Sequence, residues 1–111
     1  DIRGIRISDL CDILGILIDN SLEAAVAVSK GYVKIAVRMI KNSLVFSIEN
    51  SVKGPLELDR MFEKGWSTKG DGRGLGLWYV MNKVRSYDNV FLNTTLKENA
   101  LCQELIISLK G

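Results

Sequence analysis

The 111-residue chain contains no histidine, one proline and two cysteines. Lack of histidine excludes imidazole general-base catalysis, imidazole metal ligation and phosphohistidine formation within these residues. Cys11 and Cys102 are far apart, form no C-x-x-C pair and have no histidine beside them, which argues against a metal centre. Each thiol falls in an apolar segment, predicting buried free thiols in a reducing compartment; spacing alone leaves a disulfide open. No run approaches the ~18 apolar residues of a membrane span, and no signal peptide is visible. A net charge of +2 is too small to argue for nucleic acid or a membrane surface as partner.

What is present reads as one domain over residues 1–111, long enough for a single hydrophobic core. The chain opens without methionine, on the strand-like IRGIRI, and is expected to be part of something longer. It contains no internal repeat, low-complexity tract or linker.

The most informative stretch is MFEKGWSTKGDGRGLGLWYVMNKV, residues 61–84. Its first half is glycine-rich and polar, as a loop would be. From Leu75 it becomes an amphipathic helix, with Leu77, Val80, Met81 and Val84 at three- and four-residue spacings. Gly72, Gly74 and Gly76 let the backbone approach a ligand closely. A glycine-rich turn feeding a helix presents free N–H groups and the positive dipole end to an anion, usually a phosphate.

The remainder reads as complement to that turn. Residues 2–7 suggest an edge strand, and Ser8 offers an N-cap for a helix running to about Val28. A step of about 100° per residue puts Leu10, Ile13, Leu14, Leu17, Ser21, Ala24 and Ala25 on its core face. Asn20 lies at the edge of that stripe: either a polar group bonded to nearby backbone, or an oxygen offered to a cation or ligand. Glu23, one turn on, has the same two readings. An antiparallel hairpin follows, residues 32–40 and a second strand from 44 that ends in 49–51, with a turn at 41–43 and an apolar face able to pack on the first helix. Asn50 stands at the strand exit, positioned by the sheet and expected to face open space; an Asx turn is the alternative. Residues 56–62 suggest a short helix, and a second hairpin spans residues 89–96 and 101–110. Few helices and paired antiparallel strands predict an α+β fold, with helices on one face of a mixed, mostly antiparallel sheet.

Three glycine-loop chemistries compete. A Walker A loop fails because Asp71 follows Gly70 where lysine is required. A dinucleotide fingerprint fails because a long loop, not a strand, precedes the turn. A protein-kinase loop fails for want of H-R-D and D-F-G motifs.

The three patches that remain, in order, resemble the GHKL ATP-binding (Bergerat) family: histidine kinases, type II topoisomerases, mismatch-repair ATPases and the ninety-kilodalton chaperones. LCDILGILIDNSLEAA resembles an N box, FSIENS a shortened G1 region, and MFEKGWSTKGDGRGLGLWYV an F box, lid and G2 box. The pattern is most similar to the catalytic domain of quorum-sensing histidine kinases of the accessory-gene-regulator type, and NVFLNTTLKENALCQELII resembles their closing hairpin. The resemblance implies a two-layer α/β sandwich with a flexible ATP lid over about residues 52–72. It implies that Asn20 holds Mg²⁺ and that Asn50 takes the adenine-reading place. Backbone of Gly72, Gly74, Leu75, Gly76 and Leu77 would meet the phosphates. Thr68, Lys69 and Arg73 would neutralise them, Lys69 being the catalytic lid charge and a solvated lysine the alternative. Glu23 departs from the basic residue found there in many sensor kinases and would act through metal or water.

Two further departures matter. The usual D-x-G-x-G is replaced by Asn50 followed by SVKG, losing a charge-assisted bond to the base. The glutamate base of hydrolytic members is Ile16 here, so rapid hydrolysis is not expected. The implied function is an ATP-dependent histidine kinase catalytic domain using ATP and Mg²⁺, not self-sufficient without its acceptor. That acceptor histidine would lie in an upstream dimerisation segment. The expected setting is the cytoplasmic part of a membrane-anchored, homodimeric sensor that signals to a response regulator. The fragment itself is expected to touch neither membrane nor nucleic acid. A hydrolytic GHKL ATPase and a nucleotide-free interaction module are the alternatives.

Overall fold

The computed structural model describes residues 4–53 and 75–109. Over these the order is α1 (Ile7–Val26), β1 (Val33–Ile40), β2 (Ser43–Ser51), α2 (Gly76–Arg85), β3 (Val90–Lys97) and β4 (Ala100–Ser108). The four strands form one sheet in the order β1-β2-β4-β3, and every pairing among the described residues is antiparallel. Among the described residues the sheet is wholly antiparallel, and the α+β class with helices on one face stands. Lid residues from 54 onward, and the short helix expected at residues 56–62, lie outside the described residues.

Both hairpins form as the alternation requires. Lys41 and Asn42 connect β1 to β2, with Lys41 at φ 54°, a left-handed conformation suited to so short a turn. Glu98 and Asn99 do the same for β3 and β4.

The start of the chain differs from expectation. Described residues 4–6 are not a strand: Gly4 sits at φ 92°, and its carbonyl accepts from Asn89 Nδ2 at 2.9 Å. Helix α1 begins two residues early at Ile7, with Arg6 as N-cap and no side-chain cap, so Ser8 does not cap it. At the other end Gly31 is required for space. A Cβ there would stand 2.0 Å from the Ala25 carbonyl oxygen, so only glycine lets the chain double back into β1.

The core is where the helix stripe meets the sheet's inner face. Leu10, Ile13 and Leu17 of α1 and Val80 and Val84 of α2 pack on Ile48, Val90, Leu105 and Ile107. Ser21 and Ala25 complete the buried stripe of α1. Burying one such aliphatic side chain contributes roughly 1.5–3 kcal/mol, so these residues dominate the fold's stability.

Coverage stops short of β1. Ile35, Val37 and Met39 lie in register with Ile48, Phe46 and Leu44, yet each is more than half exposed. Helix α1 lies chiefly over β2, and of the edge strand beside it only Val33 packs against the core. Cys11 is also exposed rather than buried, because it sits one position round from Leu10, off the core stripe. Cys102 is half-buried, and both thiols are free.

Candidate functional site

The two helices run antiparallel, as a ladder of side-chain contacts records. Near the start of α1, Asp9 accepts from the Tyr87 hydroxyl and lies 3.7 Å from Lys83 Nζ. One turn on, Asp12 accepts from Tyr79 Oη at 3.4 Å. Further along, Ile16 and Asn20 face Gly76, the first residue of α2. A Cβ added to Gly76 would stand 3.1 Å from Ile16 Cγ2 and 3.7 Å from Asn20 Nδ2. Glycine is what lets the two helices approach so closely at this point.

This register places the positive end of the α2 dipole beside the Asn20 amide. The N-cap of α2, Leu75, makes no side-chain capping hydrogen bond. Leu75 is half exposed, and Gly76 and Leu77 are partly so. Lys83 and Arg85 occupy the last turn, where cations suit the dipole.

Asn50 reaches the same end of the sandwich by topology. It pairs with Leu101 on β4, which pairs with Leu96 near the end of β3. Because α2 leads into the start of β3 at Val90, its N-terminus points back toward that Leu96–Leu101 end. Expectation needs correcting on one point. Strand β2 continues through Ser51, and Asn50 does not face open space but is 1% exposed, on the inner face. Its Nδ2 donates to the Ser51 carbonyl at 3.0 Å, which leaves Oδ1 as the amide's other end.

The structure thus brings Asn20, Leu75, Gly76, Leu77 and Asn50 to one end of the interlayer space. Glu23 lies on the same helix, exposed, one turn beyond Asn20. Thr68, Lys69, Gly72, Arg73 and Gly74 lie outside the described residues. Among the described residues no group of three or more His, Cys, Asp or Glu side chains could hold a metal ion. A hard cation here would rely on ligand oxygens, with an amide such as Asn20 adding one bond.

Two site-facing polar residues escaped sequence reasoning. Gln103 is 4% exposed on the inner face of β4, and Thr94 Oγ1 donates to its Oε1 at 2.6 Å across the β3–β4 pair. The signal was available: Gln103 interrupts the buried alternation of Leu101, Leu105 and Ile107.

On the opposite sheet face, Glu49 accepts from Tyr32 Oη at 2.8 Å and from Lys97 Nζ at 3.2 Å. The tyrosine hydrogen bond, then the lysine, holds the Glu49 carboxyl below its ordinary range. The same bond pushes Tyr32 up. This network fastens the edge strand and takes no part in the cleft.

A family profile described as a GHKL domain matches residues 5–108. Among curated proteins, the chain is 35% identical over 83 residues to the sensor protein CitS of Bacillus subtilis (strain 168). It is 32% identical over 83 residues to the sensor histidine kinase DcuS of Escherichia coli (strain K12). Each match covers 73% of this chain, and the chain spans 15% of either relative's length. Among solved structures, the nucleotide-free catalytic domain of histidine kinase ThkA superposes with a TM-score of 0.75 at 23% identity. That match covers 91% of this chain and 66% of ThkA's. The family match shows that the chain belongs to the GHKL family, and the superposition shows that it has the fold of a histidine kinase catalytic domain.

Proposed function

We propose that this domain binds ATP as its magnesium complex and donates the γ-phosphoryl to a histidine outside residues 1–111. The carrying observation is the approach of Gly76 to Asn20, which sets a helix N-terminus beside a side-chain amide whose oxygen is a hard ligand. A triphosphate between them would meet the Gly76 and Leu77 amides on one side and, through its cation, the Asn20 amide oxygen on the other. Glu23 would reach the cation through water. The lid residues Thr68, Lys69 and Arg73, with the turn glycines Gly72 and Gly74, complete the phosphate site by sequence likeness. Phosphoryl transfer needs little more than such positioning and charge stabilisation, with Lys69 offsetting charge on the departing γ-phosphoryl.

The hydrolytic alternative is disfavoured by Ile16. It stands one turn before Asn20 and packs against the start of α2, an apolar group where a water-activating carboxylate would be needed. We further infer, from the likeness of FSIENS and the lid to the accessory-gene-regulator type, a sensor of the quorum-sensing class. Its acceptor would be a histidine in a dimerisation segment, its downstream partner a response regulator, and its location the cytoplasmic side of a membrane. Among the described residues no helix is long and apolar enough to cross a membrane.

The test joins the chain to a histidine-bearing dimerisation segment and supplies ATP labelled at the γ-phosphate. Acid-labile, alkali-stable label on the segment is the expected result, abolished by Asn20→Ala. Label released only as inorganic phosphate would favour the hydrolytic reading.

A further inference from the structure

Among the described residues, the inner-face polar side chains that are almost fully buried are Ser21, Asn50 and Gln103, and all lie toward the nucleotide end of the sandwich. A glutamine in that position is costly unless its amide has partners. Thr94 Oγ1 donates to Gln103 Oε1, which fixes the orientation of the amide. Asn50 is fixed in the complementary sense, its Nδ2 held toward the Ser51 carbonyl by one of its two N–H groups. Gln103 stands two residues beyond Leu101, the partner of Asn50, on the same face of the adjacent strand. Such diagonal neighbours are about 7–8 Å apart at the backbone, within reach of long side chains.

The two locked amides therefore present one acceptor, Asn50 Oδ1, and one donor, Gln103 Nε2. Adenine's pairing edge offers the converse: an exocyclic N6 amine that donates beside an N1 that accepts. Guanine carries an O6 acceptor and an N1–H donor there, so each contact would become acceptor against acceptor or donor against donor. We infer that Gln103 is a specificity-determining residue that donates to N1 of the base, with Thr94 as the positioning residue that fixes its amide. The inference rests on the nucleotide-binding reading above. It also gives a physical account of how an amide at position 50 suffices where the family uses a carboxylate: selectivity is shared between two neutral amides instead of resting on one charge-assisted bond.

The test titrates the chain with ATP, 1-deaza-ATP (whose base lacks the N1 acceptor) and GTP by calorimetry. The wild type should favour ATP over 1-deaza-ATP by about two- to tenfold, as one hydrogen bond warrants. Gln103→Leu should bind the two adenine nucleotides alike and show a smaller preference for ATP over GTP. A merely structural role for Gln103 would weaken all three ligands together and leave their ratios as in the wild type. That pattern overturns the inference while ATP binding itself stands. If the wild type binds no nucleotide, the functional reading fails as well. Should Gln103→Leu not fold, Thr94→Val decides: a narrowed ATP to 1-deaza-ATP ratio supports the inference, and an unchanged ratio overturns it.

Discussion

The Asn20 amide of α1 lies 3.7 Å from the point where Gly76, at the head of α2, would carry a side chain. A single methyl at that position must therefore intrude on the proposed phosphate site. In Gly76→Ala the new Cβ meets Ile16 Cγ2 at 3.1 Å, so the isoleucine or the helix must give by a few tenths of an ångström. Alanine's better helix propensity, up to about 1 kcal/mol, opposes that strain. Thermal stability should consequently change little, whereas ATP affinity should fall several-fold. A melting curve and a calorimetric titration of the same variant check both halves.

Asn20→Ala removes the hard oxygen while keeping the helix. A hydrogen bond or ligand bond involving charge is worth about 1.5–3 kcal/mol, which corresponds to roughly a ten- to hundredfold loss of affinity. The loss should appear only with Mg²⁺ present. Titrations in magnesium and in chelator should converge for the variant and differ for the wild type.

Turnover by the chain alone should be far below the ~1–10³ s⁻¹ of typical enzymes. Ile16 provides no base, and Asp12, one turn before it, accepts from the Tyr79 hydroxyl. Phosphate release measured with excess ATP checks this, and steady multiple turnover would count against the kinase assignment.

Acid should loosen the pairing of the two helices. The Tyr87 hydrogen bond, then Lys83 and Arg6, hold the Asp9 carboxyl below its usual range despite some desolvation. Glu49 is depressed in the same way by Tyr32 and Lys97. A carboxylate with a depressed folded-state pKa contributes stability above its unfolded pKa and loses it as pH falls through the folded value. Melting temperature should therefore drop below about pH 4. Asp9→Asn and Glu49→Gln should each flatten that drop, while starting from a lower plateau at neutral pH.

Most of the fold was legible because local signals and tertiary need agreed. The alternation in residues 33–40 and 43–51 could only be strand, and the stripe of Leu10, Ile13, Leu17 and Ser21 could only face a core. Failures occurred where one residue's conformation or phase decided the outcome. Gly4 turns the chain out of a strand pattern too short to resist it. Cys11 lies one position off the buried stripe, so apolar neighbours in sequence did not mean burial. A strand exit suggests open space around Asn50, but pairing with Leu101 holds it within the sheet with its side chain on the buried face. Gln103 was passed over because a polar residue in a strand is usually on the solvent face. Only the inner-face register with Ile48 and Thr94 reveals otherwise.

The most direct measurement is amide chemical-shift mapping of the isotopically labelled chain as Mg·ATP is added. Asn20, Gly76, Leu77 and Asn50 should shift together and saturate at one concentration, while Ile35 and Val37 on the uncovered strand stay still. Shifts of the α2 amides without Asn20, or saturation of the two at different concentrations, would mean that the helix head and the α1 amide do not hold the same ligand.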